Sequence, residues 1–153
     1  MRAVIQRVKR AAVTVEGQTV GSCEQGFLIL LGVRKGDAES DADLLAAKIA
    51  KLRVFCDGNG KMNLALGDVG GELLVISNFT LCANCRHGNR PDYFDAEAPD
   101  RAKALYEYFT ARLSDLSGCQ TETGEFGADM EVSLVNDGPV TIVIDSEEFK
   151  KKA

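Results

Sequence analysis

The sequence predicts an α/β protein in which β-sheets pack in layers and two helices cover one outer face. Most of its apolar segments are short and β-branched, as in strands. Only two segments carry the longer helical spacing of apolar residues. Two helices among many strands are typical of sheets that helices cover on one side. We find no linker, repeat or low-complexity segment, so the 153 residues are expected to form a single domain, 1–153.

The first third of the chain has the pattern of strands, followed by a helix. Short β-branched runs and a turn at 16–18 predict strands over 3–8, 12–15 and 19–20. Residues 27–33 are apolar without alternation, as in a strand that is buried on both faces. The helix that follows is expected to be capped by Asp37 or Ser40 and to carry its apolar stripe as far as Leu52.

The remaining elements alternate between strands and one further helix. A strand over 54–56 ends at a turn, and a buried strand over 72–77 is expected to continue through 78–81. A long polar loop over 82–92 precedes the second helix, which should begin near Pro99 and end at Gly118. The chain then returns to strands, at 120–123, 130–135 and 140–144.

The connection between the last two strands has an unusual composition. Asn136-Asp137-Gly138 between alternating apolar runs predicts a hairpin turn. Pro139 would then open the second strand, where it has no N–H to donate to a neighbour and is expected only at a sheet edge. Taken alone, the segment indicates a turn, because only about 5–6% of X-Pro bonds in folded proteins are cis.

Composition and charge exclude several classes of function. The net charge is −5, so the molecule as a whole repels a polyanion, although one end of an RNA can still meet a local basic region. No apolar run reaches the roughly 18–20 residues of a membrane helix, and the start of the chain has no secretory pattern. Five scattered cysteines indicate reduced thiols rather than a disulfide framework. We therefore expect a cytoplasmic protein that does not contact membranes.

Residues for conventional catalysis are few. The single histidine, His87, lies in the polar loop, and no G-x-S-x-G elbow supports Ser77 or Thr80 as an activated nucleophile. Phosphate-binding P-loop and G-x-G-x-x-G motifs are absent from the sequence. Cys82 and Cys85 with His87 offer a zinc alternative, but a structural zinc site usually needs a second pair of ligands. Loop thiols are the favoured interpretation, so we expect neither a metal nor a cofactor.

Two stretches stand apart from this ordinary pattern, and together they resemble a known family. One is Ser77-Asn78-Phe79-Thr80-Leu81, where a buried strand becomes polar, and the other is Asn136-Asp137-Gly138-Pro139-Val140-Thr141. With them, the chain resembles the D-aminoacyl-tRNA deacylases over essentially its full length. Three further segments carry the resemblance: residues 1–8, 88–91 and 123–130.

The resemblance implies a homodimeric enzyme with a barrel-like β/β core. Such an enzyme hydrolyses the ester between a D-amino acid and the 3′-terminal adenosine of tRNA, and also removes glycine mischarged on tRNA for alanine. It further implies that a cis Gly138-Pro139 peptide reaches into the partner subunit's active site and acts as a chirality filter. The resemblance also implies that the stretch from Ser77 to Thr80 lines the catalytic pocket. We add Asn136 and Arg7 to the residues expected at the filter.

Physical chemistry makes these implied roles plausible. A rigid wall of backbone carbonyls against the substrate α-carbon would exclude an L side chain by steric clash and admit a D side chain or glycine. Backbone N–H groups of Phe79 and Thr80 are candidate donors to the oxyanion of ester cleavage. Backbone groups, the tRNA ribose hydroxyl beside the ester and a bound water are the candidates for activation, and the Thr80 hydroxyl is an alternative nucleophile. Arg7 either braces the Gly138-Pro139 segment or is an exposed charge at a strand edge.

One residue departs from the family pattern, and two other functions remain as alternatives. Asn78 replaces the family's glutamine and is one methylene shorter, so its contacts must differ. The first alternative is a binding module of the same fold that holds tRNA ends or D-amino acids without cleaving them. The second is an esterase that depends on Thr80 or His87.

Overall fold

The computed structural model describes residues 1–151. Within this range the chain forms eight β-strands, two α-helices and three short 3-10 helices. The helices are α1 (Glu39–Ala50) and α2 (Pro99–Ser117). The strands are β1 (Arg2–Val15), β2 (Gln18–Cys23), β3 (Gly26–Gly32), β4 (Phe55–Cys56), β5 (Met62–Leu64), β6 (Glu72–Ser77), β7 (Thr121–Thr123) and β8 (Glu131–Asp145).

Six of the strands form a sheet that nearly closes into a barrel. Strand β1 is long enough to pair antiparallel with β3 through its first half and with β2 through its second half. Strands β3, β6 and β7 continue the sheet in parallel. The N–H of Ser22 in β2 donates to Glu122 Oε1 of β7 at 3.2 Å, which brings the two ends of the sheet together. The α/β fold with a barrel-like core and two helices is thereby confirmed.

The central strands are buried on both faces, as their unbroken apolar sequence predicts. In β3, Phe27, Ile29 and Leu31 pack in the core beneath the helices, whereas Leu28 faces a second apolar cluster inside the barrel. Strand β6 divides in the same way, because Val75 packs with the first cluster and Ile76 with the second. A strand between two apolar layers needs no polar face, which explains the lack of alternation.

The two helices pack against each other and cover one side of the sheet. Both contribute buried residues to the first apolar cluster, including Leu45 and Ile49 of α1 and Leu105 and Phe109 of α2. The buried hydroxyl of Tyr106 donates to the carbonyl oxygen of Val75 at 2.8 Å and so ties α2 to β6. Neither helix in residues 1–151 has the length and hydropathy required to span a membrane.

The boundaries of α2 match the sequence prediction, but the predicted cap of α1 is wrong. Helix α2 begins at Pro99 and ends before Gly118, which adopts a left-handed conformation with φ 65°. Helix α1 has Ala38 at its N-cap position, where the Ala38 N–H donates to Asp41 Oδ2 at 2.9 Å. Asp37 instead forms a buried ion pair with the Met1 amino group at 2.7 Å, so its carboxylate is not available to cap the helix.

Two predicted strand boundaries also differ from the structure. The separate strands at 3–8 and 12–15 are one continuous strand, β1, because its pairing with β8 persists past the exposed Lys9 and Arg10. Strand β6 ends at Ser77 and does not continue through 78–81. Residues Phe79–Cys82 form a 3-10 helix, which turns the chain away from the sheet.

Candidate functional site

A cavity of about 860 Å³ opens where the parallel strands β3 and β6 end. Crevices at the carboxyl ends of parallel strands are frequent ligand sites in α/β proteins. The walls of this cavity are mostly apolar with a few polar residues, as is usual for small-molecule sites. Ser77 and Asn78 at the end of β6 are polar, and the other polar residues of the lining are Gln6, Tyr93, Glu97 and Asp129. Its apolar lining includes Leu28, Leu30, Val33, Ile76, Phe126, Met130, Val132 and Leu134.

Three of the four predicted catalytic residues line this cavity. Ser77, Asn78 and Phe79 follow one another along its wall, whereas Thr80 is not part of the lining. The Asn78 N–H donates to the carbonyl oxygen of Leu31 at 2.8 Å, which is the last sheet-like contact before the chain turns. The end of β6 thus places a polar segment at the mouth of an apolar cavity.

The Asn78 side chain caps the 3-10 helix that begins at Phe79. Its Oδ1 accepts the Thr80 N–H at 3.1 Å and also accepts the Thr80 hydroxyl. This is the usual geometry of an asparagine that stabilises a helix start through its own following backbone. Asn78 is one methylene shorter than the family's glutamine, and its side chain forms a hydrogen bond with the backbone two residues ahead.

The two expected oxyanion donors are not equivalent. The Thr80 N–H is occupied by Asn78, while the Phe79 N–H has no hydrogen-bond acceptor among residues 1–151. Phe79 is 57% exposed, and its ring meets the Tyr93 ring edge-on with centroids 5.1 Å apart. Phe79 thus gives the site a backbone N–H without an acceptor and one ring of an aromatic pair.

The segment that predicts a hairpin is a four-residue bulge within one strand. Strand β8 runs antiparallel to β1 on both sides of this segment, with Gln6 opposite Thr141 and Val8 opposite Asn136. Residues 137–140 therefore lie opposite Arg7 alone. The predicted turn is wrong because the chain leaves the ladder and rejoins it in the same direction. The Gly138–Pro139 peptide bond in the bulge is cis.

Side chains from both strands hold the bulge in place. Arg7 is only 9% exposed, so it is not an exposed strand-edge charge. Its Nε donates to the Asp137 carbonyl oxygen at 2.8 Å, and Nη1 donates to the carbonyl oxygen of Val54. The Asn136 amide donates to the carbonyl oxygens of Arg7 at 2.8 Å and Val140 at 3.0 Å. These bonds close the base of the bulge and fix its orientation.

The bulge requires glycine at position 138. A Cβ added to Gly138 would collide with Asn136 Oδ1 and would lie 2.5 Å from the Val140 backbone nitrogen. Both Gly138 and Pro139 are exposed, and neither lines the cavity of its own chain. The structure thus separates the two predicted groups of site residues, with one at the cavity and the other on a projecting bulge.

The zinc alternative has no support in the positions of its three residues. Cys82 is buried, whereas Cys85 and His87 are exposed in the polar loop. Burial raises the pKa of the Cys82 thiol, so its protonated form is favoured. In the described part of the chain, the His, Cys, Asp and Glu side chains close enough to share an ion are Asp37, Asp41 and Glu147. The ligand atoms of Cys82, Cys85 and His87 do not converge.

Sequence reasoning missed much of the cavity wall. Residues 96–99, before and at the start of α2, and residues 126–130, before β8, close the cavity from two sides. Both segments consist mainly of loop residues, which come near β6 only through long-range folding. A weak sequence signal existed for the second, since Gly124-x-Phe126-Gly127 lies in a segment that resembles the deacylases.

A family model and several curated relatives match nearly the whole of this chain. The family described as D-Tyr-tRNA(Tyr) deacylase matches residues 4–145. A D-aminoacyl-tRNA deacylase from Thermosipho africanus is 57% identical over 148 residues, which cover 97% of this chain and 99% of the relative. One from Thermus aquaticus is 57% identical, covering 97% of each chain. One from Lacticaseibacillus casei is 56% identical, covering 96% of this chain and 99% of the relative.

Two solved structures have the same fold as this chain. The structure described as c-Myc DNA unwinding element binding protein superposes with a TM-score of 0.89 at 37% identity, covering 95% of this chain and 98% of that one. A probable eukaryotic D-amino acid tRNA deacylase superposes with a TM-score of 0.80 at 14% identity, covering 94% and 97%, and shows the shared fold alone. The resemblance noted in the sequence is confirmed, and the chain belongs to the D-Tyr-tRNA(Tyr) deacylase family.

Proposed function

We propose that this chain hydrolyses the ester bond of D-aminoacyl-tRNA and of glycine mischarged on tRNA for alanine. Water adds to the ester carbonyl, the bond to the ribose oxygen breaks, and the products are the free amino acid and tRNA. The observation that carries the proposal is the apolar cavity with an unpaired Phe79 N–H at its mouth. The family membership of the chain supports the same reaction.

The Phe79 N–H is the donor that we assign to the developing oxyanion. It belongs to the first residue of a 3-10 helix, where a backbone N–H has no intrahelical acceptor. One such donor typically stabilises the transition state by about 2.7–4 kcal/mol. The Thr80 N–H becomes a second donor only if the Asn78 side chain releases it.

Water, rather than Thr80, is the nucleophile in this proposal. The Thr80 hydroxyl donates to Asn78 Oδ1, and an amide oxygen cannot serve as the general base that activates a nucleophile. His87, the only histidine, is exposed in the polar loop and does not line the cavity. We therefore expect Thr80→Ala and His87→Ala each to retain most of the wild-type kcat.

Chirality is filtered by the bulge of a second copy of the chain. We assign the carbonyl groups of Gly138 and Pro139 to a wall against the substrate α-carbon in the partner's cavity. An L side chain would collide with such a wall, whereas a D side chain points away and glycine has none. The position of the bulge supports this arrangement, because it projects from its own chain and lies outside its own cavity.

An exposed apolar surface on β8 supports a homodimer. Leu134 is 37% exposed, and Val143 on the other side of the bulge is 57% exposed. Apolar side chains that flank a projecting segment are suited to burial against a second copy. A dimer formed over β8 would bring each bulge close to the other subunit.

Three measurements on the purified protein test the proposal. Sedimentation should give a dimer, and the protein should release D-tyrosine from D-tyrosyl-tRNA while leaving L-tyrosyl-tRNA intact. Gly138→Ala should displace the Asn136 side chain and lower either the activity or the preference for the D substrate. Unchanged activity and preference in this variant would contradict the role assigned to the bulge.

The same deacylation assay distinguishes the enzyme from a non-catalytic binding module. A solved structure similar to this chain is described as a c-Myc DNA unwinding element binding protein, so nucleic-acid binding is a defined alternative. Binding of D-tyrosyl-tRNA with no release of D-tyrosine would favour it. A loss of several orders of magnitude in Thr80→Ala or His87→Ala would instead favour a conventional esterase.

A further inference from the structure

We propose that a second cavity, lined by Arg2, Arg34 and Arg86, binds a backbone phosphate of the tRNA acceptor strand. This inference rests on the proposed function, because it places the same substrate on a second surface. The cavity has a volume of about 580 Å³. Its lining also includes Ala83, Asn84, Asp95 and the two loop cysteines, Cys82 and Cys85.

Two of the arginines form a rigid, positively charged floor. Arg2 Nε and both terminal nitrogens of Arg34 donate to the carboxylate of Asp145. Two guanidinium groups thus share one carboxylate, which leaves a net charge of about +1 on the three groups. Burial opposes ionisation of Asp145, but the Glu147 N–H and Arg34 hold its pKa below the ordinary value, so the carboxylate keeps both arginines in place.

The third arginine is available to a ligand. Arg86 is exposed and forms no ion pair with any residue in 1–151. Its backbone N–H donates to Asn84 Oδ1 at 3.1 Å, and the Asn84 backbone pairs with Asp92 across the loop. A planar guanidinium group binds phosphate oxygens with two parallel hydrogen bonds, which makes an unpaired arginine a suitable ligand for RNA.

The arginine-lined cavity adjoins the candidate active site. The 3-10 helix Phe79–Cys82 separates the two, since Phe79 lines the active-site cavity and Cys82 lines the second one. Arg2 Nη1 donates to the Leu81 carbonyl oxygen at 3.1 Å and so links the charged floor to this helix. The second shared wall is the segment at Asp95 and Ala96, which face the second cavity and the first respectively.

This arrangement suits an RNA strand that ends in the active site. An acceptor strand whose 3′-terminal adenosine enters the first cavity must continue away from it, and the second cavity lies across one short helix. The whole chain has a net charge of −5, so a local group of arginines is needed to attract a phosphate. Asp95 is the one acidic residue in the lining.

Arg86→Ala tests the proposal, because its exposed side chain has no structural partner to lose. Arg90→Ala is the matched control, since Arg90 is an exposed arginine of the same loop outside the cavity lining. The substrates are D-tyrosyl-tRNA and 3′-O-(D-tyrosyl)adenosine, which has no backbone phosphate. We expect Arg86→Ala to lower kcat/KM about tenfold on the tRNA substrate, as expected for a lost charge-assisted hydrogen bond, and to leave the adenosine substrate unaffected.

Salt dependence provides a second measure. The slope of log kcat/KM against log salt concentration on D-tyrosyl-tRNA should become less steep by about 0.7–0.9 in Arg86→Ala, as expected for one lost phosphate contact. Arg90→Ala should keep the wild-type slope. An equal change in both variants would overturn the proposal in favour of general charge attraction.

Two further outcomes would overturn the proposal while leaving the proposed function intact. An equal loss on both substrates in Arg86→Ala would show a structural effect. A change in cleavage of the adenosine substrate on addition of inorganic phosphate would indicate a site for free phosphate rather than RNA. If the wild-type protein cleaves neither substrate, the proposed function itself fails, and the two failures are therefore distinguishable.

Discussion

Replacing Asn136 with alanine isolates the contribution of a single side chain to the shape of the bulge. The Asn136 amide donates two hydrogen bonds, to the carbonyl oxygens of Arg7 and Val140, and so spans the base of residues 137–140. A net hydrogen bond contributes about 0.5–1.5 kcal/mol, and water can replace part of this at an exposed side chain. We therefore expect Asn136→Ala to lower the free energy of unfolding by about 1–2 kcal/mol.

The same substitution should affect selectivity more than turnover. Without the amide, the bulge loses its closure while the cavity at the end of β6 keeps its lining. We expect the ratio of D- to L-tyrosyl-tRNA cleavage to fall, with a smaller change in kcat on the D substrate. The measurements are urea unfolding and parallel deacylation assays with the two substrates.

Two further substitutions serve as comparisons for Asn136→Ala. Asn136→Asp replaces the donating amide with a carboxylate that faces two carbonyl oxygens, so it should be more destabilising than alanine at neutral pH and less so below about pH 4. Ser133→Ala in β8 removes only a 3.5 Å contact outside the bulge and should change stability by under about 0.5 kcal/mol. The reasoning is refuted if Asn136→Ala matches the wild type in both stability and selectivity.

Three further predictions concern the supports around the site. Asn78→Ala removes the cap of the 3-10 helix and should lower the free energy of unfolding by about 1 kcal/mol, with a lower kcat. Asn78→Ser should keep most of the wild-type stability. Equal unfolding curves for all three proteins would contradict the capping role. Tyr106→Phe leaves the buried Val75 carbonyl oxygen without the hydroxyl donor and should lower stability by about 1–2 kcal/mol, measured as a lower Tm. Burial raises the Tyr106 pKa to about 12, so this loss of stability should be constant from pH 6 to 9. A loss that varies with pH in this range would count against the hydrogen bond as its cause. Burial opposes ionisation of Asp145, but hydrogen bonds from Glu147 N–H and Arg34 lower its pKa, so its stabilising effect is complete above the unfolded value near 3.8 and lost as pH falls through the lowered pKa. The stability difference between wild type and Asp145→Asn, from urea unfolding at several pH values, should therefore shrink as pH falls below about 4. A difference that does not shrink between pH 5 and pH 3 would refute this.

Local patterns predicted the elements whose boundaries depend on neighbouring residues alone. Pro99 and Gly118 bound α2 as predicted, because proline fits the first turn of a helix and glycine its left-handed end. The unbroken apolar run of β3 predicted burial on both faces, and the structure places it between two apolar clusters. The polar end of β6 lies in the lining of the cavity, and its catalytic role stays a prediction.

Predictions failed where a distant partner decides the conformation. Asp37 is of a residue type that caps helices, but its carboxylate forms an ion pair with the Met1 amino group instead. Asn136-Asp137-Gly138 was a reasonable turn, but β1 continues to pair on both sides of it, so the chain makes a bulge. Neither partner is adjacent in sequence, and no local pattern carries that information.

The sequence by itself determined the α/β class and the buried central strands, because periodicity and turn chemistry are local properties of the chain. Its motifs identified the family by resemblance, and the roles of the two motif stretches in a site stay predictions. The tertiary structure alone decided that Arg7 is buried against Asp137, that Asn78 occupies the Thr80 N–H, and that three arginines line a cavity next to the candidate site. Each of these depends on long-range strand pairing and on competition among donors for the same acceptor, which only the folded chain can settle.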